Sequence, residues 1–327
     1  MDIKNETEIY VCQICGNENG NMEYAAREMM YGLRHQFKYF QCNACDCLQI
    51  GEIPENMSPY YPSGYYSFTK FEEKKFKGFI GSIRKWKYAS LVSKNILLQK
   101  FTRIITGKAD YDIFKGLDVN IDTKILDVGS GNGSSFLYPL AEAGFKNLLG
   151  CDPYLSKSIS YKNGLEITNS EIYEISGKWN VITFHHSFEH IGDPIKTLLK
   201  VSELLSPNGV AILRIPTTSS FAWKKYRTNW VQLDAPRHFF IHSIRSMQKL
   251  ADLAKLDFYK VEYDSTAFQF LGSEKYIKDE SLFSVYPKGF KKGIITYFEK
   301  LKYKKMARKL NKEKNGDQAA FYFRLVG

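Results

Sequence analysis

Through the middle of the chain, short continuous apolar runs take turns with stripes of apolar residues at helical spacing, the pattern of strands and helices wound through a largely parallel sheet. Ile125–Val128 and Leu148–Cys151 read as buried strands, with Phe136, Leu137, Leu140 and Ala141 as a helix between them. A third strand is expected within residues 165–175, a fourth at Val181–Phe184 and a fifth at Gly209–Pro216. The last two are joined by a helix from Pro194 through Leu198, Leu199 and Leu205 that ends in the turn Ser206-Pro207-Asn208-Gly209. Ile244, Met247, Leu250, Ala251 and Ala254 mark another helix, Phe258–Tyr263 a sixth strand and Gln318–Val326 a seventh. Residues 268–315 form an insertion with an apolar stripe at Ile294, Ile295, Phe298 and Leu301. Upstream, Phe76, Phe79, Ile80, Ile83 and Trp86 make one more helical stripe, with Lys and Arg on the opposite face.

The turn after the first of these strands narrows the chemistry. Asp127 closes the strand, Gly129, Gly131 and Gly133 follow at alternate positions, and Asp152 closes the next apolar run. Glycines there allow positive φ and close approach of the backbone to a ligand, and the second acid stands where such folds hold a ribose. A dinucleotide fingerprint would need Gly or Ala at Ser134 or Phe136, and the phosphate loop that ends in G-K-[ST] is absent. What remains resembles the first motif of the class I S-adenosylmethionine-dependent methyltransferases, over residues 121–216 and more loosely to the end. The resemblance implies a seven-stranded α/β Rossmann-like sheet, parallel with one antiparallel strand. It also implies S-adenosylmethionine as cofactor, with the three glycines around its methionine part, Asp127 fixing the loop and the amino group, and Asp152 on the ribose. No clear acid marks the adenine pocket.

Of six histidines, three follow the fourth strand (His185, His186, His190) and two follow the fifth (His238, His242). Parallel sheets bind ligands beyond the carboxyl ends of their strands, and histidine exchanges a proton near neutrality. His185 is placed beside the cofactor. Glu189-His190 with Asp193-Pro194 resembles the post-fourth-strand motif of small-molecule methyltransferases, some of which bring a divalent metal there. His186, Glu189 and His190 are thus candidates for catalysis or for such a metal, the other reading being a loop held by hydrogen bonds. Leu233-Asp234-x-Pro236-Arg237-His238 resembles glycan and sugar-nucleotide methyltransferases. This makes His238 the candidate general base, and Arg237 either a ligand for a substrate phosphate or carboxylate or the partner of Asp234.

Cys12-x-x-Cys15 and Cys42-x-x-Cys45 supply two close thiol pairs, the donor set of a tetrahedral structural zinc; Cys47 is an alternative to Cys45. Tyr60, Tyr65 and Tyr66 belong to an aromatic turn suited to sugar faces or to packing. Residues 1–57 are read as a zinc-ribbon-like domain, 58–116 as an aromatic turn and basic helical linker, and 117–327 as the methyltransferase domain. The net charge of +11 is concentrated in residues 70–108 and 288–314, each with eleven basic against two acidic residues, and the remainder nets −7. Such segments suit an anionic membrane surface, nucleic acid such as RNA, or an acidic glycan, or are plain solvated helix faces. The first residues lack a signal-peptide core and no apolar run reaches the roughly 18 residues of a membrane span, so a cytoplasmic location is expected, peripheral at a membrane at most.

The expected activity is transfer of a methyl group to an oxygen or carbon of a sugar-nucleotide or surface-glycan precursor. A zinc-ribbon RNA methyltransferase and a non-catalytic cofactor-binding adaptor are the alternatives. No protein partner is inferable.

Overall fold

The computed structural model describes residues 9–62, 73–90, 112–283 and 292–327. Strands β1 (Met22–Arg27), β2 (Gln36–Gln41) and β3 (Leu48–Ile50) form an N-terminal meander, followed by helix α1 (Gly78–Ala89). The chain then runs β4 (Ile125–Val128), α2 (Leu137–Glu142), β5 (Leu148–Cys151), β6 (Ile159–Ser160), β7 (Glu166–Thr168), β8 (Trp179–His185), α3 (Pro194–Leu204) and β9 (Leu205–Pro216). After it come α4 (Phe221–Tyr226), β10 (Phe240–Ile241), α5 (Ile244–Leu253), β11 (Leu256–Tyr263), α6 (Phe268–Ile277), α7 (Lys292–Lys312) and β12 (Gln318–Leu325).

The large sheet has eight strands in the order β11-β12-β9-β8-β4-β5-β7-β6. β9, β8, β4, β5 and β7 are mutually parallel, and β12 enters antiparallel between β9 and β11. The seven expected strands are present, and the eighth is β6, a two-residue strand antiparallel to β7. A strand that short has no apolar period to announce it. Ser206–Gly209 is not the expected helix-ending turn but the start of β9. Leu205 already pairs with Trp179 and Val210 with Val181, and the register shift between them absorbs the polar residues.

The helices follow from local chemistry. Asp193 caps α3 by accepting from the Lys196 amide (2.9 Å), with Pro194 in the first turn where its missing N–H costs nothing. Ser243 and Ser246 close a capping box at the start of α5. The upstream stripe is only half buried, since Phe76 packs against Tyr138 while Phe79 and Ile80 stand 82% and 66% exposed. On α7, Ala307 and Leu310 face the core, whereas Phe298 and Leu301 are exposed.

β10 leaves the segment after β9 to pair antiparallel with β3, so the N-terminal meander becomes a four-stranded sheet β1-β2-β3-β10. One continuous set of buried side chains runs from Cys12, Tyr39 and Leu48 through Trp223 and Phe240 to Phe184 and Leu213. The N-terminal sheet and the large sheet thus share a core.

Candidate active site

The loop after β4 is shaped by its glycines. Gly129, Gly131 and Gly133 have φ of 68°, 55° and 71°. A side chain at Gly129 would put its Cβ 2.4 Å from the Ser187 Cβ, and one at Gly133 would lie 2.7 Å from the Ile167 Cδ1. The loop is pinned from beneath by Ser187, whose hydroxyl donates to the Val128 carbonyl (2.6 Å), and from the side by the Tyr161 hydroxyl on the Asn132 carbonyl (2.7 Å).

Both acids lie at this loop. Asp152 accepts the Gly131 amide on one oxygen (2.8 Å) and the Tyr154 amide on the other (2.9 Å). A carboxylate has about four acceptor sites, so each oxygen keeps one for a ribose hydroxyl. Tyr154, 75% exposed and two residues after it, presents an aromatic face that the sequence reading passed over. Asp127 is buried and accepts from the Thr183 hydroxyl (2.8 Å). Burial pushes its carboxyl up to about 8, outweighing that hydrogen bond. The folded protein therefore holds a proton that the unfolded chain releases near pH 4; stability from this group is full below that and is lost as the pH climbs through about 8. In paired thermal melts, the wild type should lose stability relative to Asp127→Asn across this window, and parallel pH curves would overturn the assignment. His185, the last residue of β8, lies against Phe136 with ring centroids 4.3 Å apart, and its buried Nε2 has no hydrogen-bond partner among the described residues.

Beyond the strand ends lies a cluster built on Glu189, which is fully buried and whose two carboxylate oxygens accept no hydrogen bond among the described residues. Burial raises its pKa, but His186, His238 and His190 outweigh this and hold it at about 2. His238 Nδ1 donates to the Gln232 carbonyl (2.8 Å), which leaves Nε2 as the lone-pair atom, 3.9 Å from both Glu189 and Asp234. Burial, helped by His190, lowers His238 to about 4, so its ring is neutral at physiological pH. His190 donates through Nδ1 to the Arg237 carbonyl (2.7 Å) and packs edge-on to His238, with centroids 4.8 Å apart. Glu189, His190 and His238 can each offer one ligand atom, all within 4.8 Å of one another. They fit a divalent cation as two imidazoles and a carboxylate.

Three sequence expectations are corrected here. His186, held at φ 53°, accepts from Arg214 through Nε2 (3.0 Å) and turns Nδ1 to Glu189 (3.4 Å), so both nitrogens brace the cluster and neither is free for catalysis or for a metal. Arg237 is fully buried, bound to Asp234, to Glu28 (3.0 Å) and to the Tyr60 carbonyl (3.1 Å), and so does not reach a substrate anion. Tyr60 is 7% exposed, with its hydroxyl 3.1 Å from the His35 Nδ1 and its ring edge-on to Phe37. It belongs to the packing beneath Arg237. Tyr65 and Tyr66 lie outside the described residues.

At the N-terminus the four thiols converge. Cys12 and Cys45 Sγ are 3.6 Å apart, Cys15 and Cys42 3.5 Å, and all four lie within 4.8 Å. Thiolates around zinc stand about 3.8 Å apart, so these residues fit the ion. The Gln49 side-chain amide donates to Cys12 (2.9 Å), a second-layer contact that would hold a thiolate ligand in place. Cys47 lies outside the group, beside His242 (3.7 Å).

The family model described as a methyltransferase domain matches residues 89–262. The chain belongs to that family. As a class I S-adenosylmethionine-dependent methyltransferase, it takes its methyl group from that donor. Among solved structures, it is similar to an S-adenosylmethionine-dependent methyltransferase from Mesorhizobium loti (12% identity, 67% of this chain and 99% of that one, TM-score 0.44). It is also similar to the cyclopropane synthase MmaA2 from Mycobacterium tuberculosis (12%, 73% and 93%, TM-score 0.41). A third such structure is the magnesium protoporphyrin IX methyltransferase of Synechocystis PCC 6803 (14%, 62% and 82%, TM-score 0.34). No curated protein matches the methyltransferase by sequence. No helix among its described residues is long and apolar enough to cross a membrane.

Proposed function

We propose that this methyltransferase acts on an oxygen or carbon of a sugar-nucleotide or surface-glycan precursor, with His238 as the proton acceptor. The carrying observation is a neutral imidazole whose Nδ1 is committed to a backbone carbonyl and whose Nε2 faces two carboxylates. When bound, the donor supplies an electrophilic methyl on a sulfonium. Gly129, Gly131 and Gly133 let the backbone close around it, and Asp152 orients the ribose. His238 Nε2 removes the acceptor's proton while the acceptor's electron pair forms the new bond to carbon and the pair of the broken S–C bond stays on sulfur. Glu189 and Asp234 then stabilise the imidazolium.

The oxygens of Glu189, which accept no hydrogen bond among the described residues and meet His186 only at 3.4 Å, favour a second reading, in which a divalent cation held by Glu189, His190 and His238 takes the place of that proton. Zinc at Cys12, Cys15, Cys42 and Cys45 is part of the proposal, as is an anionic membrane surface met by the basic helices α1 and α7. The exposed Phe79, Ile80, Phe298 and Leu301 support the latter.

The deciding experiment incubates the protein with methyl-labelled donor and a lysate of its source organism, with and without chelator. Label in a lipid-extractable or small water-soluble fraction supports the glycan-precursor reading. Nuclease-sensitive label replaces it with RNA methylation, and donor binding without label in any fraction replaces it with the adaptor. Loss of transfer that added Mn2+ restores supports the second reading.

A further inference from the structure

His238 lies on a segment, residues 227–243, whose only regular pieces are 3-10 turns and the two-residue β10. Such a segment does not hold a ring in place by itself; it has to be tied down. Some ties come from the methyltransferase core, such as the Phe239 amide on the Glu189 carbonyl (2.8 Å) and the Val231 amide on the Ser273 hydroxyl (3.0 Å); those nearest His238 along the chain come also from the N-terminal sheet. The Tyr39 hydroxyl, fully buried, donates to the carbonyl of His238 itself (2.8 Å). Glu28 pairs with the guanidinium of the adjacent Arg237 (3.0 Å), both side chains fully buried. The Ile50 amide donates to the Phe239 carbonyl (2.9 Å) as β3 pairs with β10. The loop that carries Cys42 and Cys45 supplies one more, the Cys45 carbonyl accepting from the Ser243 hydroxyl, and its Asp46 carbonyl also accepts from the Thr218 hydroxyl after β9 (2.9 Å). His238 is thus bracketed by contacts to a loop that the thiols fold.

We infer that the N-terminal sheet is the device that positions His238: Glu28 and Tyr39 are positioning residues, and a metal on Cys12, Cys15, Cys42 and Cys45 fixes the place of the ring. This rests on the reading of His238 as the proton acceptor. A buried guanidinium between two carboxylates adds little net stability, but it specifies one arrangement, and here that arrangement runs through the residue next to His238. The glycine loop stands on β4 and β5 and makes none of these contacts, so donor binding is independent of the device.

The test follows the His238 ring directly. Long-range 1H–15N imidazole spectra are recorded for wild type, Tyr39→Phe, Glu28→Gln and wild type stripped with a zinc chelator, the His238 signals being identified by their loss in His238→Asn. Shifted or broadened His238 signals are expected in all three altered samples, with calorimetric affinity for S-adenosylmethionine unchanged. Against an identified acceptor, kcat should fall about a hundredfold for a displacement of about 1 Å, with the donor KM unchanged. His238 signals that stay at their wild-type positions in Tyr39→Phe and in stripped protein would overturn the inference. So would loss of donor binding in step with any change at His238, which marks a sheet that only supports the fold. Should Glu28→Gln fail to fold, Tyr39→Phe carries the test, since it removes one oxygen atom. Failure of the base assignment looks different: His238→Asn would then turn over normally, whatever the spectra show.

Discussion

Gly129→Ala is expected to abolish binding of S-adenosylmethionine and to destabilise the protein by about 2–5 kcal/mol. Two effects add. The backbone there has φ 68°, which an L side chain rarely adopts, and the new Cβ would stand 2.4 Å from the Ser187 Cβ. Ser187 cannot step aside cheaply, because its hydroxyl is bonded to the Val128 carbonyl on the strand that carries the loop (2.6 Å). Gly144→Ala is the control for strain alone: φ is 98° and nothing lies within 4 Å of the added Cβ. That change should cost about 1 kcal/mol and leave donor affinity intact. Thermal melts and calorimetric titration separate the two, and a Gly129→Ala protein with normal affinity would show that the loop is not the donor's cradle.

His238→Asn is expected to lower methyl transfer by about 10²- to 10⁴-fold while leaving donor binding unchanged. Asparagine can keep a donor toward the Gln232 carbonyl but has no basic nitrogen. The pH profile should match. Because burial and His190 hold His238 at about 4, transfer should stay level through neutrality and fall only as the pH drops toward that value. A profile that bends near the ordinary histidine range would point instead to a more exposed group, and turnover at the wild-type rate would remove His238 from the reaction. His186→Ala should do less, since His186 meets Glu189 and Arg214 rather than an acceptor.

Residues that set their own backbone were the ones that could be read in advance. The glycine turn requires positive φ at fixed positions, the apolar runs on either side require strands, and Asp127 and Asp152 stand at their ends. Cysteine pairs two residues apart converge because each short loop brings both of its thiols to one side. Arg237 was readable only in part: its pairing with Asp234, three residues away, was one of its two sequence readings and is present. Its second carboxylate partner, Glu28, is 209 positions away, and the pairing of β3 with β10 helps to bring them together. Residues 268–277 also differ from the insertion expected there. They form α6, which packs on the His238 segment, with the Ser273 hydroxyl accepting the Val231 amide (3.0 Å) and Gly272 leaving room for Val231.

The sequence by itself determined the parallel α/β sheet, the glycine loop with its two acids and the thiol set, because each of these is a constraint among neighbours in the chain. Only the tertiary structure decided which of these histidines keep a lone pair: His190 and His238 do, through Nε2, and His186 does not. His186, His190 and His238 all follow strand ends, and in the sequence only the family resemblance singles out His238 as base. Arg214 on β9 takes one nitrogen of His186, and the carbonyls of Arg237 and Gln232 take one each from His190 and His238. Those partners are chosen by how strands stack side by side and by a strand lent to the N-terminal sheet, and packing of that kind leaves no period in the sequence.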